Sequence, residues 1–259
     1  MARMGLSLLK PMRIFITHMH GDHVIGVLGL LQSMALLGRE RPLEIYGPTG
    51  IRSFIEVNTK LLNFKIPFQL KITRVKEGPV CEAEDYTVRA MRSNHSVLSY
   101  AYLFEEKPRP GVFYPEKALQ LGVPRGPLWG RLQRGEPVTV GGRTVTPQEV
   151  TGPPREGRKI GISGDTRPSA RLASFFRGVD ALVFEATFLS EMEGKARESY
   201  HSTSLEAARL ASQAGVRRLY ITHFSPRYRS SRPLLREARR IFPNTFAAED
   251  GLKVEIPYP

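Results

Sequence analysis

Apolar runs of strand length alternate with stretches of helical spacing along most of the chain, the pattern of helices layered on sheets and hence of an α/β fold. Met12–Thr17 (MRIFIT) is a β-branched run that predicts a buried strand. Beyond a short polar loop, Val24, Val27, Leu28, Leu31, Met34 and Leu37 recur at helical spacing, and Gly38 supplies a stop. Further strands are predicted at Leu43–Tyr46, Phe68–Val75, Tyr86–Arg92, Tyr100–Phe104, Lys159–Ser163, Ala181–Glu185, Arg218–Thr222 and Leu252–Ile256. Helices are predicted at Ile51–Leu62, Ser169–Phe176, Ser204–Ala214 and Leu234–Ile241.

From Glu105 to Lys159 this rhythm breaks: nine Pro and nine Gly fall within 55 residues, with ten Lys and Arg against six Glu. Such density excludes long helices and central strands and predicts an irregular arm inserted between residues 1–104 and 160–259. Phe113, Tyr114, Leu119, Leu121, Leu128, Trp129 and Leu132 make it too apolar for a solvated tether.

The composition of the 259 residues, 41% hydrophobic and 24% charged, is that of a globular chain and excludes wholesale disorder or a fibrous class. The net charge of +13 is unusual and points to a polyanionic partner, nucleic acid before membrane. Arg217–Arg240 holds eight Arg against one acid, Glu237. Cys81 is the only cysteine, which excludes an intramolecular disulfide and a Cys-rich zinc site and predicts an intracellular, cytoplasmic chain. The run Val24–Leu37 is interrupted by Gly26, Gly29, Gln32 and Ser33, too polar to span a bilayer, and Met1–Arg13 has no signal-peptide core.

The chemistry concentrates in the histidines. Thr17–His23 reads Thr-His-Met-His-Gly-Asp-His between a predicted strand and a predicted helix. Three imidazoles and a carboxylate on a tight loop suit zinc. His18 and His20, two apart on extended chain, point toward one ion, whereas Asp22 and His23, beyond the turn at Gly21, face a second. His95, Asp165 and His223 each follow a predicted strand, and in layered α/β sheets the carboxyl ends of strands share one edge where ligands bind. The sixth histidine, His201, lies in the loop that opens a predicted helix.

With Ser93-Asn94-His95-Ser96-Val97, Gly164-Asp165-Thr166-Arg167-Pro168, Phe184-Glu185-Ala186-Thr187-Phe188, His201-Ser202-Thr203 and Thr222-His223-Phe224-Ser225, the His-x-His-x-Asp-His loop resembles the tRNase Z family of the metallo-β-lactamase superfamily. The Gly/Pro-rich segment around Gly122–Leu128 is similar to that family's protruding exosite arm. The resemblance runs from about residue 8 to the C-terminus. It implies an αββα sandwich in two parts, 1–104 and 160–259, with the arm at 105–159. It also implies two Zn²⁺ per subunit: His18, His20 and His95 on one, Asp22, His23 and His223 on the other, and Asp165 bridging.

The activity so implied is removal of the 3′ trailer from a tRNA precursor by a cytoplasmic homodimer, leaving a 3′-hydroxyl on the tRNA and a 5′-phosphate on the trailer. Two ions about 3.5–4 Å apart would clamp the scissile phosphate. Asp22 would orient the attacking water, and His201, paired with Glu185, would protonate the leaving oxygen. On the arm, Lys117, Arg125, Arg131 and Arg134 are spaced as phosphate contacts.

The chain departs from the family at its start. The Gly-Thr-Gly strand start and Arg-Asn loop of family members have no counterpart ahead of His18, so the opening strands of one sheet are expected to be missing. Met1–Leu6 instead resembles the helix leading into the Met12–Thr17 strand. Two other readings are a general phosphodiesterase or hydrolase of the same fold and an inactive RNA-binding fragment.

Overall fold

The computed structural model describes residues 4–258 and divides into two compact units, residues 1–104 with 159–256 and residues 105–158 with 257–259. The first begins with β1 (Arg13–Phe15), α1 (Gly21–Leu36), β2 (Leu43–Gly47), α2 (Ile51–Leu61), β3 (Leu70–Arg74), β4 (Gly78–Glu82), β5 (Tyr86–Arg92) and β6 (Tyr100–Glu106). The second holds α3 (Pro115–Gln120), α4 (Pro127–Gln133), β7 (Val138–Val140), β8 (Arg143–Val145) and α5 (Pro147–Val150). The first then resumes with β9 (Lys159–Ile162), α6 (Ala170–Phe175), β10 (Ala181–Glu185), α7 (Glu193–Glu198), α8 (Ser204–Ala214), β11 (Leu219–Thr222), α9 (Arg232–Arg239) and β12 (Thr245–Ala247).

In the first unit a three-stranded sheet, β1-β2-β3, faces a seven-stranded sheet ordered β12-β11-β10-β9-β6-β5-β4. Between them Phe15, Tyr46, Val75, Cys81, Val88, Tyr100 and Tyr102 form one core. The Tyr102 hydroxyl donates to the Ile16 carbonyl at 2.7 Å and the Tyr100 hydroxyl to the Val75 carbonyl at 3.1 Å, so polar atoms in this layer are satisfied across the gap. On the outer face of the small sheet, Val24, Val27, Leu31 and Met34 of α1 and Ile51 and Ile55 of α2 cover Ile16, Leu43 and Ile45. On the outer face of the large sheet, Leu172 and Phe176, Ala207 and Ala211, and Leu234 and Ala238 cover Leu182, Phe184, Leu219 and Ile221. Small side chains let α8 approach closely, and a Thr203/Glu206 capping box opens it while Gly215, at φ 63°, closes it. The layers are therefore αββα.

Predicted elements and structure agree where burial makes a long periodic run. The bounds of β5, β10 and α8 coincide with the predicted ones. The expected strand at Leu252–Ile256 does not form: Leu252 and Val254 are exposed, and Thr245–Ala247 pairs in parallel with β11 instead. Alternation alone makes no strand without a partner edge. β4 is masked in the sequence by Gly78-Pro79, which an edge strand tolerates, and its ladder with β5 shifts register between Pro79 and Cys81. Among the described residues no strand precedes β1. Met1–Arg3 of the expected leading helix lie outside the described residues, and residues 4–6 are not in an α-helix.

The second unit is not the irregular arm that its Pro and Gly content predicts. Pro115, Pro127 and Pro147 each open a short helix, where the missing N–H costs nothing. Gly141 and Gly142, at φ 58° and 78°, turn the β7–β8 hairpin. Ala118, Val123, Leu132, Val138, Val145 and Val150 form a core of their own, rimmed by Phe113 and Trp129. Among the described residues of the whole chain, no helix is long and apolar enough to cross a membrane.

Glycine content separates packed from open positions. A Cβ at Gly161 would meet Phe176 Cδ1 at 2.5 Å and Leu182 Cδ1 at 2.9 Å, whereas one at Gly29 in α1 meets nothing within 4 Å. Gly161→Ala is expected to cost about 1–3 kcal/mol by overpacking. Gly29→Ala is expected to add about 0.5–1 kcal/mol. Denaturant midpoints at unchanged slope check both signs.

Candidate metal centre

The donors gather around the carboxyl ends of strands. His18 and His20 follow β1, and the chain then turns into α1, whose first turn carries Asp22 and His23. His95 follows β5, Asp165 follows β9, Glu185 ends β10 and His223 follows β11. Gly164 precedes Asp165 at φ 58°, and a Cβ there would meet Thr17 Cβ at 2.9 Å, so only glycine lets this loop lie against the first histidine loop. His223 itself adopts φ 58° and Tyr200, next to His201, φ 59°, a conformation that costs non-glycine residues free energy and persists only where surroundings enforce it.

Two donor sets result. His20 Nδ1 lies 3.1 Å from His18 Nε2 and 3.2 Å from His95 Nε2, and His18 Nε2 is 3.7 Å from Asp165 Oδ2. The same Asp165 oxygen is 3.2 Å from His23 Nε2 and 3.3 Å from His223 Nε2, which are 3.4 and 3.7 Å from Asp22 Oδ2. Tetrahedral zinc with bonds of about 2.0–2.1 Å places its ligand atoms about 3.3–3.4 Å apart. The seven side chains thus bring ligand-spaced donors into two groups on either side of one carboxylate oxygen, an arrangement suited to metal binding. His18, His20, Asp22, His23, His95, Asp165 and His223, singled out in the sequence, come together here.

The imidazoles are held from behind. Because the Tyr200 carbonyl can only accept, the 3.1 Å contact at His95 Nδ1 puts the proton there and leaves the Nε2 lone pair toward the cluster. Thr17 Oγ1 lies 3.0 Å from His18 Nδ1, and Thr187 Oγ1 lies 2.9 Å from His223 Nδ1. Burial, then the neighbouring His23, lowers the His18 pKa to about 4, and burial lowers that of His95, which favours the neutral form that ligation requires. Burial pushes Asp165 up, yet the His23 hydrogen bond and surrounding imidazoles hold it down at about 2.

Glu185 is 1% exposed, the opposite of an ordinary strand-end surface carboxylate. Its Oε1 accepts from Thr166 N at 2.8 Å and His201 Nδ1 at 2.9 Å. Its Oε2 accepts from the Thr187 hydroxyl at 2.8 Å and Ser202 N at 2.9 Å. The Arg167 guanidinium donates to the His201 carbonyl at 2.6 Å and pairs with Glu206, the capping residue of α8. His201 stacks beside His223 with centroids 5.2 Å apart. The sequence alone gives Thr17, Thr166, Arg167, Thr187 and Ser202 no role, although the last four lie inside the motifs around Asp165, Glu185 and His201; their hydroxyls and amides gain meaning only from neighbours distant in the chain.

Lys117, Arg125, Arg131 and Arg134 are exposed on the second unit and are not part of this cluster. Lys117 lies over the Tyr114 ring and Arg125 over that of Trp129, while Arg131 and Arg134 both pair with Glu136 at 3.1 and 3.2 Å. From the arginine-rich stretch, Arg227 lies over the Phe188 ring, which is T-shaped to His201 with centroids 6.3 Å apart.

The chain is 47% identical to the Ribonuclease Z of Nitrosopumilus maritimus over 97% of its own length and 84% of that protein. It is also 47% identical to the Ribonuclease Z of Methanothermobacter thermautotrophicus over 99% and 83%. Human tRNase Z, short form, superposes with a TM-score of 0.66 at 25% identity, covering 97% of this chain and 82% of that one. The metallo-β-lactamase fold protein YhfI of Bacillus subtilis, at 19% identity and TM-score 0.64, shares the fold over 95% of this chain and 78% of its own. No protein-family model matches the chain.

Burial lowers the pKa of His201, but the hydrogen bond and charge of Glu185 outweigh it and hold the ring above its ordinary 6.5. Stabilisation from this pair is complete below that pH and is lost as pH rises through the raised value. In Glu185→Gln the His201 titration, followed by NMR in the metal-free chain, is expected to move down and that alkaline loss of stability to vanish. Placing an amide N–H among these donors should cost a further ~1–3 kcal/mol in denaturation.

Proposed function

The chain belongs to the ribonuclease Z family and is an endoribonuclease, and on that premise we propose that it removes the 3′ trailer of tRNA precursors using two zinc ions per subunit. The products would be a tRNA 3′-hydroxyl and a trailer 5′-phosphate. The observation that carries the zinc reading is the single Asp165 oxygen set between two groups of ligand-spaced donors. His18, His20 and His95 would hold one ion, Asp22, His23 and His223 the other. Zinc held there would supply positive charge against the phosphate oxygens and lower the pKa of water toward neutrality.

The remaining steps belong to the chain's own groups. Asp22, whose side chain is two-thirds exposed, would orient the attacking water or accept its proton. His201 donates Nδ1–H to Glu185, which leaves Nε2 for the 3′-oxygen expelled in line. Against burial, the hydrogen bond and charge of Glu185 raise the His201 pKa, which favours the protonated ring that a proton donor needs. Lys117, Arg125, Arg131 and Arg134 would contact phosphates of the tRNA body; the pairing of Arg131 and Arg134 with Glu136 is exposed and therefore weak enough to exchange for phosphate. Ile25, Leu36 and Leu37 of α1 and its end, with Val57, Leu61 and Leu62 of α2 and its end, are exposed apolar residues suited to pairing two chains in a cytoplasmic homodimer, checked by sedimentation.

Cleavage of a 3′-extended tRNA precursor is expected with zinc and to stop with a chelator. His201→Ala should lower turnover about 10²–10⁴-fold at unchanged zinc content. Loss of zinc as well would make His201 a ligand instead. Excising Gly111–Gly152, whose ends touch through the Gly152 N to Val112 carbonyl bond, should abolish precursor cleavage while sparing a small phosphodiester. Zinc-dependent hydrolysis without any tRNA cleavage would favour a general phosphodiesterase, and neither activity an inactive RNA-binding chain.

A further inference from the structure

We infer that Thr187 is a positioning residue that fixes the tautomer of His223 and thereby the affinity of the Asp22/His23/His223 site. The inference rests on the two-zinc reading of the cluster. Thr187 Oγ1 lies 2.8 Å from Glu185 Oε2 and 2.9 Å from His223 Nδ1. A hydroxyl has one proton and two lone pairs, and an ionised carboxylate can only accept. The Thr187 proton therefore goes to Glu185, which also takes the Ser202 amide on the same oxygen. The hydroxyl must then accept from His223 Nδ1–H. That leaves the His223 Nε2 lone pair directed at Asp165 Oδ2, 3.3 Å away, and at Asp22 Oδ2, 3.7 Å away, where a cation would lie.

The arrangement has a consequence for Glu185. One carboxylate orients the candidate proton donor His201 directly and the ligand His223 through a hydroxyl. Thr187 is itself buried, and its carbonyl accepts from Ser225 N at 3.1 Å, so the hydroxyl is held between β10 and the loop after β11. Fixed orientation of a ligating imidazole by such a partner typically contributes 10–100-fold in metal affinity.

Thr187→Val keeps the shape and removes the hydroxyl. Zinc titration against a competing chelator is expected to show wild type binding two ions and Thr187→Val binding the second about 10–100-fold more weakly, with Thr187→Ser close to wild type. In a His223→Ala background Thr187→Val should add nothing. Full affinity for both ions in Thr187→Val, or an equal loss in Thr187→Ser, overturns the inference while leaving the metal reading intact. Failure of wild type to bind zinc overturns the metal reading instead. Nitrogen NMR of wild-type His223 tests the tautomer without any variant: Nδ1–H with bare Nε2 is expected, and the reverse overturns it.

Discussion

The site depends on one buried carboxylate. Glu185 ends β10 and accepts hydrogen bonds from the loop after β9, from its own following turn and from the loop before α8. Left unpaired in a low-dielectric interior, that charge would be costly, so each donor it gathers is held strongly. The donors are Thr166 beside Asp165, Thr187 behind His223, and His201 with Ser202. Satisfying Glu185 therefore sets the position of three side chains of the candidate site, Asp165, His201 and His223, at once.

Strain and packing are arranged around the same point. The left-handed backbone at His223 and Tyr200 would relax in isolated loops. It is retained because the Tyr200 carbonyl holds His95, and Arg167 holds the His201 carbonyl while pairing with the capping residue of α8. The helix N-terminus, the strand ends and the polar network are thus one mechanical unit, and the hydrophobic layers behind them keep the two sheets in register. The positive charge has no such focus: part of it lies in exposed side chains of the second unit and part in the stretch from Arg217 to Arg240. That distribution suits a large, folded polyanion more than a small anion.

Much of this is legible in the order of residues alone. Dense local motifs carry their own geometry, so the Thr17–His23 loop reads as two half-sites, and strand-end placement points His95, Asp165 and His223 to a common edge. Long periodic runs likewise predict β5, β10 and α8 at their observed bounds. The failures have physical causes. Leu252–Ile256 has the alternation of a strand, but its apolar Leu252 and Val254 stay exposed and it joins neither sheet, and β4 is an edge strand disguised by Pro79. In the second unit proline content suggests broken helices, whereas Pro115, Pro127 and Pro147 sit where a helix begins.

By itself the sequence determined which side chains could bind metal, the layering of helices on sheets and the basic character of the chain, because residue type and short-range periodicity suffice for those; the αββα order was what the family resemblance implied. Asp165 was expected between the donor sets from the family resemblance; only the tertiary structure decided that a single Asp165 oxygen lies near both, that Glu185 is buried at the centre of the network, and that Thr187 stands between it and His223. The physical reason is range: a hydroxyl or an amide acquires its role from partners within about 3 Å. Those partners come from loops far apart in the chain, and no local pattern records them.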